Sequence, residues 1–74
     1  MNLEEIKLKI AEGKLFLEEG SNFMNERHAN IGYGVKKYLV KDYEVLDASE
    51  IHVFSVIEYF DLDKNFLDSD VLPI

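Results

Sequence analysis

The sequence predicts an α+β fold, an N-terminal helix packed on a small antiparallel sheet of three to five strands. Three stretches carry that expectation. The first is Glu50–Phe60, EIHVFSVIEYF, the longest apolar run of the chain. Read with period two, Phe54, Val56, Glu58 and Phe60 share one face with His52, and Val53, Ser55, Ile57 and Tyr59 share the other with Ile51. Both faces are mostly apolar, and nearly every side chain is β-branched or aromatic, which suits a central strand covered on both sides. The second is the N-terminus, where Asn2 with Glu5 three residues later forms a capping-box pattern. The third is an apolar, acidic-turn, apolar succession over residues 50–72, which reads as a hairpin.

A helical period also fits parts of the chain, so an all-α fold is the alternative. Leu3 to Glu19, Val35 to Leu46 and Ala48 to Phe60 all tolerate it. Asp47 is a possible N-cap, with Glu50 three residues later and Leu46 placed to staple onto Ile51.

In chain order, Leu3 to Glu12 is expected to be helical. Glu4 and Glu5 fall where the helix dipole favours negative charge, and Leu3, Ile6 and Ile10 share one face. Gly13 offers the residue that ends it. Lys14 to Glu18 is a short apolar strand candidate, followed by a turn at Glu19–Asn22. Asn25 to Asn30, NERHAN, is the most polar stretch and reads as a loop. Ile31-Gly32-Tyr33-Gly34-Val35 alternates bulky residues with glycine and reads as a strand with one bare face. Lys36 to Leu46 is expected to be a strand that pairs with the central run through a turn near Asp47-Ala48-Ser49. In that register Val45 faces Ile51, Leu39 faces Ile57 and Glu44 faces His52.

Seventy-four residues are expected to form one domain, residues 1–74. A chain this short buries only about 60% of its unfolded surface. Yet 47% of its residues are hydrophobic, and there is no cysteine to make a disulfide. Such a surplus is commonly buried against another chain, so a homo-oligomer, most simply a dimer, is expected. Absence of cysteine suits a reducing cytoplasm. No apolar run is long enough for a membrane span, and the N-terminus shows no signal-peptide pattern.

The net charge of −7 is unevenly placed. Residues 1–41 hold seven basic and six acidic side chains, whereas residues 42–74 hold nine acidic and only Lys64. The acidic half repels phosphate backbones, so direct nucleic-acid binding is not expected. A protein partner with a basic surface is.

No pattern of catalytic residues stands out. His52 and Ser55 are three residues apart among acids, but the chain has no nucleophile elbow, P-loop or HExxH. Asp61-x-Asp63-x-Asn65 resembles the first half of a calcium loop. It departs at Phe66, where the sharp turn needs Gly, and at Leu72, where a bidentate Glu belongs. Lys36, Lys37 and Lys41 are the only basic cluster, interleaved with tyrosines in the manner of single-strand binders but opposed by Asp42 and Glu44. No cofactor, no metal and no enzymatic activity is expected.

The function expected is therefore a small acidic protein-interaction module that occludes a basic surface of a target protein. Small inhibitors encoded by phages and mobile elements have this kind of composition, although no family motif appears in the residues. Asp42, Glu44, Glu58, Asp61, Asp63, Asp68 and Asp70 are the expected partner contacts. The alternatives are a small-ligand binder with its site at a subunit interface, using Arg27, Tyr33, Tyr38 and Tyr43, or a structural subunit of a larger assembly.

Overall fold

The apolar run is a strand, and the chain folds around it and its neighbour. In the computed structural model the described residues are 1–19, 23–32 and 34–74, with Phe23 described by its backbone alone. Among them the chain forms helix α1 (Leu3–Ala11) and strands β1 (Phe16–Leu17), β2 (Phe23–Asn30), β3 (Val35–Leu46), β4 (His52–Phe60) and β5 (Phe66–Pro73). The fold is α+β, one helix on one antiparallel sheet. The order is β1-β3-β4-β5, and β2 pairs with the same edge of β3 as β1 does. β1 lies beside Val45 and Leu46, and β2 beside residues 35–42.

The helix starts and stops where its capping residues dictate. Glu5 N donates to Asn2 Oδ1 at 2.9 Å, so a side chain satisfies a backbone donor that the first turn leaves open. At the other end Gly13 has φ +76°. Gly13 N donates to Ile10 O and Lys14 N to Lys9 O, the paired bonds of a Schellman ending. Ile6 is fully buried against Leu15, Tyr43, Val45 and Val56, and Leu3 and Ile10 pack at the margin.

Two of the hairpins, β3–β4 and β4–β5, use the same turn. In the first, Asp47 Oδ1 accepts from Ser49 N (2.8 Å) and Ile51 N (3.1 Å). In the second, Asp61 Oδ1 accepts from Asp63 N and Asn65 N, both at 2.9 Å. Glu50 N donates to Asp47 O and Lys64 N to Asp61 O. Among the described residues, Glu50 and Lys64 are the two non-glycine residues with positive φ, 62° and 69°. Each loop is thus a β-turn followed by a left-handed residue, the three-residue hairpin connection. Asp47 caps a turn and not a helix.

Three expectations are corrected. Asn25 to Asn30 is no loop but most of β2, hydrogen-bonded along β3. Its side chains are polar because it is an edge strand whose residues from Met24 to His28 are all exposed, and charge on an edge discourages stray pairing. The Ile31–Val35 stretch is not one strand: Ile31, Gly32 and Gly34 lie between β2 and β3, with positive φ at Gly32 (67°) and Gly34 (84°), and Val35 opens β3. Tyr33 and residues 20–22 of the expected Glu19–Asn22 turn lie outside the described residues. The β3–β4 register is displaced by three: Val45 faces Phe54, Leu39 faces Phe60 and Glu44 faces Ser55. The turn consumes residues through Ile51, and a bulge then sets Leu46 opposite His52.

Register and alternation define two sheet faces. One carries Leu39, Lys41, Tyr43 and Val45 of β3 with Phe54, Val56, Glu58 and Phe60 of β4, and α1 packs on it. The other carries Tyr38, Val40, Asp42, Glu44 and Leu46 with Ser55, Ile57 and Tyr59. Asp68, Asp70 and Leu72 of β5 continue this second face.

Candidate functional site

The helix-free face gathers four of the seven expected partner residues. Asp42 and Glu44 alternate along β3, and Asp68 and Asp70 along β5. Cross-strand pairing puts Ile57 between Asp42 and Asp70, and Tyr59 opposite Asp68. Two acidic rows therefore flank the Ser55, Ile57 and Tyr59 side of β4. They lie two strand spacings apart, about 9.5 Å.

Local contacts tune this face. Arg27 Nη2 and Asp42 Oδ2 form an ion pair at 3.0 Å. Arg27 faces Tyr38, while Asp42 lies four residues further along β3, so the bridge runs past Val40, which is 1% exposed. Tyr59 donates its hydroxyl to Asp70 Oδ2 at 2.7 Å. That hydrogen bond first, and burial second, push the phenol up to about 12. Glu44 Oε2 is buried and has no hydrogen-bond partner among the described residues. A buried carboxylate oxygen ordinarily has a hydrogen-bond donor.

The remaining expected contacts lie elsewhere. Glu58 is corrected: it sits on the helix face and is 2% exposed. Its Oε1 is 3.1 Å from Lys7 Nζ, and its Oε2 accepts from Tyr43 at 2.7 Å. It fastens α1 to the sheet and cannot meet a partner. The sequence alternation already carried the signal, because Glu58 shares its face with Phe54 and Val56. Asp61 is occupied by its own turn, where its two oxygens accept Asp63 N, Asn65 N and Asn65 Nδ2. These bonds hold its carboxyl below the ordinary range, the backbone bond from Asn65 contributing most. The calcium-like spacing is therefore that of a capped turn. Asp63 is exposed at the same turn, away from the two rows.

The alternative ligand set is not brought together. Arg27 and Tyr38 are cross-strand neighbours on the helix-free face. Tyr38 is 7% exposed and points its hydroxyl to Ile31 O at 3.5 Å. Tyr43 is corrected: it is buried on the opposite face with its hydroxyl on Glu58. Burial, and then the neighbouring carboxylate, push that phenol far above its ordinary value. Tyr33 lies outside the described residues.

An open cleft of about 600 Å³ lies at the far end of the sheet, between β1 and the β3–β4 turn. Phe16 and Leu46 give it an apolar wall, and Glu18, Asp47, Glu50 and His52 surround it. His52 Nε2 is 3.2 Å from Glu18 Oε1, so its partner is Glu18 and not Glu44. Among the described residues no three His, Asp or Glu side chains are grouped to hold a metal ion. Among the described residues no helix is long and apolar enough to cross a membrane. Comparison with known proteins leaves the reading to the geometry: no protein-family model, no curated protein and no solved structure matches the chain.

Proposed function

We propose that this protein is a non-enzymatic interaction module that presents its helix-free sheet face to a basic surface of a partner protein. The observation that carries this reading is the placement of Asp42, Glu44, Asp68 and Asp70 in two rows around Ile57 and Tyr59. An apolar strip between charges of one sign supplies area for burial and selects partners of the opposite sign. Occlusion of a basic site, in the manner of phage- and mobile-element-encoded inhibitors, is the mode of action that follows. The cysteine-free chain suits action in the cytoplasm.

Self-association is assigned to a different surface. The helix face also carries the exposed Met24 opposite Lys41, Val35 beyond Leu39, and Phe66 opposite Phe60. Phe60 and Phe66 meet edge to face with centroids 5.8 Å apart. Charges there are mixed, with Glu26 and Lys37 bridged at 2.7 Å. A second copy can cover this patch, whereas the acidic face would repel itself.

The test is charge reversal. Glu44→Lys, Asp68→Lys and Asp70→Lys together should abolish binding to the protein that the native chain captures, with the thermal melt unchanged. Retained binding by the folded triple variant contradicts the reading. Light scattering of a Phe66→Glu variant tests the dimer separately, since dissociation without loss of partner binding is expected.

A further inference from the structure

We propose that the element received on the helix-free face is a basic amphipathic α-helix of the partner, lying along β4 between the two acidic rows. This rests on the reading above that the face meets a basic protein surface, and it specifies which secondary structure the face accepts.

Geometry favours a helix over the other ways a sheet is engaged. The β5 edge is poorly made for strand addition. Ile74 N donates to Val53 O at 3.1 Å, and hydrogen-bonded positions alternate along an antiparallel pair. Residues 72, 70 and 68 therefore turn their backbone groups toward β4, and 73, 71 and 69 turn theirs outward, up to the irregularity at Tyr59/Phe60 that leaves Leu67 unpaired. Pro73 has no N–H, and Ser69 N is taken by Asp68 Oδ1 at 2.8 Å. Of these outward positions only Val71 keeps a free N–H to offer, and the regular ladder stops at Leu67. Such an edge is blunted against an added strand.

The face itself has the dimensions of a helix. A helix with side chains is about 10–12 Å across, and the two acidic rows stand about 9.5 Å apart. Asp42 and Glu44 are spaced i, i+2 on one strand, and so are Asp68 and Asp70, a separation of about 6.7 Å. Basic residues at i and i+4 on each flank of a helix rise about 6 Å, so one pair matches each row. Their apolar stems lie over Ile57 and Tyr59 while their charged heads reach outward to the carboxylates. Glu44, whose Oε2 has no hydrogen-bond partner among the described residues, takes one of these donors through its carboxylate. Asp42 remains tied to Arg27 and Asp70 to Tyr59, each with its second oxygen outside those contacts. A second copy of this chain is excluded as the occupant by like charge, and α1, with Glu4 and Glu5 in its first turn, is not a basic helix.

Two fluorescent peptides of about 14 residues, roughly four helical turns, test the proposal by anisotropy with amide chemical-shift mapping. One is an amphipathic helix with leucines at i, i+3, i+4 and i+7 and lysines on both flanks. The other has the same composition with leucine and lysine alternating, suited to an edge. The helical peptide should bind at least about tenfold more tightly, shift the amides of Ser55, Ile57 and Tyr59, and lose about tenfold or more with Asp68→Lys/Asp70→Lys. Equal or tighter binding of the alternating peptide, with shifts at Leu67, Ser69 and Val71, overturns the helix and leaves the interaction reading standing. Binding of neither peptide also overturns it. Failure of the broader reading is seen separately, as indifference of the captured protein to charge reversal.

Discussion

Replacement of Tyr43 by Phe isolates the role of the buried carboxylate that the charge pattern alone would have assigned to a partner. Tyr43 is 4% exposed and Glu58 2% exposed. The hydroxyl donates to Glu58 Oε2 at 2.7 Å, while Lys7 reaches only Oε1. Without the hydroxyl, Oε2 is left in the core with no donor. Loss of a hydrogen bond to a buried charge costs about 1.5–3 kcal/mol. For a chain of this length, total stability is roughly 4–11 kcal/mol, so the variant forfeits a large share of it. At about 4–8 °C per kcal/mol for small domains, the melting temperature should fall by roughly 6–24 °C. Urea denaturation followed by circular dichroism gives the free energy directly. Pairing Tyr43→Phe with Glu58→Leu should restore part of the loss, because the second change removes the orphaned charge. Binding to the partner should survive in Tyr43→Phe at temperatures where it is folded. A Tyr43→Phe loss below about 0.5 kcal/mol, or strict additivity in the double variant, would refute the reasoning.

Other consequences follow from the turns and tyrosines. Glu50→Gly and Lys64→Gly each relieve a left-handed backbone at a non-glycine residue and should each raise stability by about 0.5–1 kcal/mol, net of the entropy glycine adds to the unfolded chain; paired chemical denaturation checks both. Asp61 has a depressed carboxyl in the fold. Its contribution is complete above the ordinary value near 3.8 and is lost as pH falls through the lower folded value. Asp61→Ala should therefore lower the neutral-pH melt and flatten its acid limb, read by melts between pH 2 and 6. Tyr43 and Tyr59 bind their protons more tightly folded than unfolded. Their contribution is complete below pH 10, and that of Tyr59 is lost as pH rises toward about 12. Absorbance at alkaline pH should show Tyr59 ionising late and Tyr43 only with unfolding, and Tyr59→Phe should remove the former step.

The strands that bury side chains were legible as strands because burial leaves a mark in the composition. β4 and the later part of β3 are rich in branched and aromatic residues, and the hairpin to β5 is announced by Asp61 and Asn65. The helix was legible through Asn2, Glu5 and Gly13, whose roles are local. β2 was not, since an exposed edge strand has no apolar face to display and NERHAN is what such an edge requires. The register was hidden for a different reason. It depends on Glu50 entering the left-handed region and on a bulge after the turn, neither of which its residue type announces. The acidic face was half visible: alternation within β3 and β5 sets Asp42 with Glu44 and Asp68 with Asp70. Bringing the two rows to one side of the sheet needed the pairing of both strands with β4.

The most direct measurement is an amide chemical-shift map of the ¹⁵N-labelled protein bound to the partner that it captures from its native host. The proposed function predicts shifts concentrated at Asp42, Glu44, Ser55, Ile57, Tyr59, Asp68 and Asp70, with α1 little changed and the complex weakened by salt. Shifts centred on α1, or at the Met24, Val35 and Phe66 patch with the acidic face unmoved, would contradict it.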